Sequence, residues 1–132
     1  MNNTKYTKKV EWLRPFVESA KDLVPLKQIT AVSGYRVKRG QIEQSYGSTV
    51  RQSKNKYSIN IKIYDLTPNG KDYKGSHIYM ILDTLAHELA HVKAGFDHTP
   101  EHYELTARIA LKFSHILEKN GIIDTSMRVE ND

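Results

Sequence analysis

The chain has 132 residues, with 20 Lys plus Arg against 15 Asp plus Glu, a net charge of +5, and no cysteine. That length suits one domain with a modest core, here 1–132 with loose ends at 1–5 and 124–132. The missing thiols exclude a disulfide scaffold, a thiol nucleophile and a zinc–thiolate site, so histidine and carboxylate must hold any metal. No apolar run can span a bilayer and the N-terminus lacks a secretory core, which predicts a cytoplasmic protein with no membrane partner.

Residues 1–58 carry 12 basic and 4 acidic side chains, and the remainder carry 8 and 11. No repeat or linker separates these halves, so the chain reads as one domain with a basic side. Residues 6–22 place Val10, Leu13, Phe16, Val17 and Ala20 at helical spacing, with Pro15 predicting a kink or restart. Residues 28–64 read as β-structure. A strand from Ile29 to Val37, a turn at Lys38-Arg39-Gly40 and a return strand from Ile42 to Tyr46 are expected. The strand 57–63 is clearest, because Tyr57, Ile59, Ile61 and Ile63 alternate with polar residues.

A long helix is expected over 77–94, with Ser76 as N-cap and Gly95 as its stop. Its apolar stripe is Ile78, Ile81, Leu82, Leu85, Leu89 and Val92. A last helix over 100–119 has Thr99 as N-cap, Pro100 at its first position and Glu101 in its first turn. Leu105, Ile109, Phe113 and Ile116 form its buried face. The fold class is therefore α+β, with an N-terminal helix, a small antiparallel sheet of about three strands and two long helices.

Within the first long helix, Leu85-Ala86-His87-Glu88-Leu89-Ala90-His91 contains His-Glu-x-x-His. Four residues apart, His87 and His91 share a helix face and can reach one ion. Glu88 lies about 100° further round, beyond ligand range but within reach of a metal-activated water. A hydrolytic zinc site wants three protein ligands. His98 is the favoured third, because it precedes a helix whose positive end keeps an imidazole neutral. His102 is the runner-up, and Asp97, Glu101 and Glu104 rank lower. His77 and His115 read as surface residues.

The stretch from His87 to Tyr103 resembles the YgjP-like, WLM and SprT-like metallopeptidases, which share HELxH, a short spacer, a third His and an aromatic pair. Upstream, Tyr46-Gly47-Ser48-Thr49 resembles their W-G-S-C segment, and Ile59-Asn60 falls in the strand after it. Thr49 stands where the family has Cys, His102-Tyr103 stands for Phe-Trp, and the spacer between the second and third His is one residue longer. The resemblance implies a zincin-like fold and one zinc ion on His87, His91 and His98. It also implies Glu88 as catalytic base and a peptide or protein substrate. An edge strand before the active-site helix would bind that substrate by β-addition. Strand 57–63 is expected to be that edge, with Ile59, Asn60, Ile61, His102 and Tyr103 touching the substrate.

Two other functions compete. Arg36, Lys38, Arg39, Arg51, Lys54 and Lys56, with tyrosines nearby, could contact nucleic-acid phosphates and stack a base, as in a nucleic-acid-associated SprT-like protease. The chain could instead be a non-catalytic binding module that uses zinc as a staple.

Overall fold

The computed structural model describes residues 3–35, 46–63 and 75–120. The chain opens with strand β1 (Lys5–Tyr6), a 3-10 turn (Lys8–Leu13) and a short helix α1 (Arg14–Ser19). Pro15 supplies no backbone N–H, so it sits in the first turn of α1, where none is needed. The single N-terminal helix expected over 6–22 is thus broken into a 3-10 turn and an α-helical turn. The same apolar residues are nevertheless buried: Val10, Leu13, Phe16, Val17 and Ala20.

Among the described residues, the sheet has four strands in the order β1-β2-β4-β3, where β2 is Ile29–Tyr35, β3 is Gly47–Ser53 and β4 is Lys56–Lys62. It is mixed, not antiparallel as expected. β1 and β4 both run parallel to β2, and only β3 with β4 is antiparallel. The hairpin therefore lies between β3 and β4, closed at Asn55, whose φ of 76° suits a tight turn. The expected Lys38-Arg39-Gly40 turn lies outside the described residues, as does nearly all of the return strand 42–46. β3 escaped notice because Gly-Ser-Thr-Val-Arg-Gln-Ser has no apolar face to bury, as befits an edge strand.

Helix α2 (Gly75–Ala94) lies against β3 and β4 on one side and α3 (Pro100–Asn120) on the other. α2 begins at Gly75, so Ser76 lies inside it and is not its N-cap. The remaining signals hold: Gly95 ends α2 at φ +88°, and the Thr99 hydroxyl accepts the His102 N–H at 3.2 Å. One core joins α1, the inner faces of β2 and β4, and the apolar stripes of α2 and α3. Phe16 is its centre, meeting Phe113 edge-on at 5.5 Å and Trp12 at 6.1 Å between ring centroids. Among the described residues, no helix is long and apolar enough to cross a membrane.

Because Phe16 joins α1 to α3, Phe16→Ala should cost about 3–5 kcal/mol. Chemical denaturation followed by circular dichroism will measure the loss.

Candidate metal centre

Helix α2 has two faces. Ile81, Leu82, Leu85, Ala86, Leu89 and Ala90 are buried in the core. Asp83, Thr84, His87, Glu88 and His91 line a cavity of about 630 Å³, which Tyr46, Gly47, Ser48 and Thr49 close on the β3 side, together with Phe96 and His98 after α2. The helical period produces this split: burial of the stripe fixes the rotation of α2 and turns the His-Glu-x-x-His face outward.

The two motif histidines meet as a metal pair would require. Their rings lie 4.7 Å apart, and their Nε2 atoms stand 3.1 Å apart. Two nitrogens on one tetrahedral zinc are separated by about 3.3 Å. His91 Nδ1 donates to the Gly95 carbonyl at 2.8 Å. That carbonyl can only accept, so Nε2 keeps its lone pair for a metal. The glycine that ends the helix thus also sets the tautomer of His91.

Two further imidazoles stand near this pair. His102, in the first turn of α3, is fully buried. Its Nε2 donates to the His87 carbonyl at 3.0 Å, and its Nδ1 is buried without a partner. The ligand atoms of His87, His91 and His102 all lie within 4.8 Å of one another, close enough to hold one metal ion. His98, in the connection between α2 and α3, is exposed and lines the cavity. Its ring lies 5.0 Å from that of His87 and 5.1 Å from that of His91. A buried ring nitrogen with no partner, beside two imidazoles with converging Nε2 atoms, is a donor set that fits a divalent ion.

Burial tunes the charges. It lowers His87 from an ordinary 6.5 to about 4, and the neighbouring imidazoles of His91, His102 and His98 add to the effect. His87 is therefore neutral at physiological pH, the form that binds metal. Glu88 is only 5% exposed. Burial raises its pKa, while a hydrogen bond from Thr49 pulls it back. The Thr49 hydroxyl lies 2.8 Å from Glu88 Oε1 and 3.1 Å from the Glu88 main-chain oxygen. Thr49 was visible in sequence only as a departure from W-G-S-C. Nothing there indicated a contact with Glu88.

Several expected substrate contacts fall elsewhere. β4 is paired on both sides, so it cannot add a peptide strand, and Ile59 and Ile61 point into the core. Asn60 faces Ser48 across the β3–β4 ladder. His102 is sealed from solvent, whereas Tyr103 is 62% exposed with its ring 6.4 Å from that of His98. The alternation of 57–63 correctly indicated a half-buried strand but carried no information about which strands flank it. Of the basic residues, Arg51, Lys54 and Lys56 are exposed around the β3–β4 turn. Arg36, Lys38 and Arg39 lie outside the described residues.

No family model matches the chain, and neither a curated protein nor a solved structure matches it. The site therefore rests on its own geometry.

His87 also gives the metal-free protein a pH dependence. Its folded pKa is depressed, so its contribution to stability is present above the unfolded value of 6.5 and is lost as the pH falls toward about 4. With chelator present, denaturation midpoints should fall across that window, and His87→Gln should flatten the fall.

Proposed function

We propose that the chain is a zinc-dependent peptidase of the kind its motif resembles, with a zincin-like fold. One observation carries this reading: a buried carboxylate, Glu88, shares a solvent-connected cavity with the paired imidazoles of His87 and His91. His87 and His91 would hold the ion, and His98 would complete the set. His98 is put forward because it lines the same cavity as Glu88, and His102, whose Nδ1 is unpartnered and which stands in the group close enough to hold an ion, is the competing third ligand. Zinc bound there would act as a Lewis acid, polarising the scissile carbonyl and acidifying a water.

The chain's own groups do the rest. Glu88 accepts a proton from the attacking water and passes it to the leaving amine nitrogen. Its raised pKa places this exchange nearer to neutrality than an ordinary carboxylate would. The substrate strand is reassigned to β3. β3 pairs with β4 on one side, stands at the end of the sheet order, and contributes Gly47, Ser48 and Thr49 to the cavity. Its outer backbone groups can hold an extended peptide by strand addition.

Glu88→Gln should retain one zinc per chain and lose cleavage of an unfolded protein substrate. A Glu88→Gln variant as active as the parent would refute the mechanism, and a parent that binds zinc but cleaves nothing would leave a zinc-stapled module. For the third ligand, His98→Ala should lose zinc while His102→Phe, which keeps a buried ring, should retain it. The reverse pattern assigns the position to His102.

A second reading adds nucleic acid as a partner. Arg51, Lys54 and Lys56 are all exposed at or near the β3–β4 turn, and phosphates bind exposed Lys and Arg in a salt-dependent way. Labelled single-stranded DNA should bind at low salt and release as salt rises. Absence of binding at low salt removes this partner.

A further inference from the structure

We infer that Thr49 is the positioning residue for Glu88, and that β3 thereby sets the aim of the catalytic base. The inference rests on the peptidase reading above.

A carboxylate acting as general base needs one oxygen free for the water and the other held, because a rotating carboxylate loses the alignment that proton transfer requires. Glu88 is the first motif residue after the ligand His87, so its backbone is fixed by α2, but its side chain has several rotatable bonds. Among the described residues, one side chain restrains it. The Thr49 hydroxyl donates to Oε1 at 2.8 Å, with the Glu88 main-chain oxygen at 3.1 Å as a second acceptor. Oε2 is left for the water. The bond joins residues 39 apart in sequence and ties the edge strand directly to the base.

Gly47 makes that bond possible. A Cβ on Gly47 would stand 2.7 Å from Thr84 Cγ2, 3.0 Å from the Asn60 carbonyl oxygen and 3.3 Å from Glu88 Cγ. The Asn60 oxygen belongs to the paired strand and cannot swing aside. Only glycine lets β3 come this close to α2, and that closeness brings the Thr49 hydroxyl, two residues on, to the carboxylate. One rigid strand then carries both the free edge for the peptide and the hydroxyl that holds the base. A peptide laid along β3 is therefore placed in register with Glu88 without any further adjustment.

A merely structural Thr49 would also satisfy a buried carboxylate, so the test must separate the two roles. Thr49→Val keeps the shape and removes the donor, whereas Thr49→Ser keeps the donor. With zinc content verified for each, Thr49→Val should lower kcat about tenfold or more with KM unchanged, and Thr49→Ser should recover most of it. Gly47→Ala should lower kcat in the same sense. In metal-free protein, Thr49→Val should lower the denaturation midpoint more when Glu88 is present than in a Glu88→Ala background, where only the main-chain acceptor remains. Equal kcat for parent and Thr49→Val, or an equal midpoint loss with and without Glu88, overturns the inference while leaving the peptidase reading intact. A zinc-loaded parent that cleaves nothing overturns both.

Discussion

The structure depends on the two-faced burial of α2. The stripe through Ile81, Leu82, Leu85 and Leu89 packs into the core, and this packing leaves no freedom in how the helix is rotated. That apolar burial places His87, Glu88 and His91 at the cavity, and hydrogen bonds to Gly95 and from Thr49 then orient His91 and Glu88. Burying a side chain such as Leu85 contributes about 1.5–3 kcal/mol. A surface histidine pair without such backing would wander through its rotamers. Here the rings sit 4.7 Å apart before any ion is considered.

The same burial determines the electrostatics. Desolvation disfavours charge of either sign, so it lowers His87 and raises Glu88. Each direction suits the proposed role: a neutral imidazole binds metal, and a carboxylate with a raised pKa is a better base. Although the whole chain carries +5, the described cavity lining includes no Lys or Arg. Among the described residues, no cation stands ready to occupy the metal's place or to neutralise Glu88. The positive charge that is described near the site, at Arg51, Lys54 and Lys56, lies out along the hairpin.

What sequence could show follows from which forces are local. The His-Glu-x-x-His spacing, the stripe of α2, Gly95 and Thr99 act over one or two helical turns, and all were legible. Pairing in the sheet is not local. The alternation of Tyr57, Ile59, Ile61 and Ile63 shows one face buried, but a strand buried on one face can be central or at an edge. β4 proved central, paired with β2 and β3. β3 was missed because, among the described residues, its side chains are exposed or only partly buried, so it needs no apolar signature. The contact from Thr49 to Glu88 crosses 39 residues, and such a bond leaves no periodic trace.

His102, in the first turn of α3, combines packing with chemistry. Its imidazole is fully buried. Unlike a phenyl ring, it brings two nitrogens that need partners. One is satisfied by the His87 carbonyl, which fastens α3 to α2 directly behind the first motif histidine. The other has no partner. The His102 ring lies 4.1 Å from that of His91, stacked on it, and 4.6 Å from that of His87, edge-on to it. His102 therefore both fastens α3 to α2 and stands with His87 and His91 in a group of imidazoles close enough to hold one metal ion.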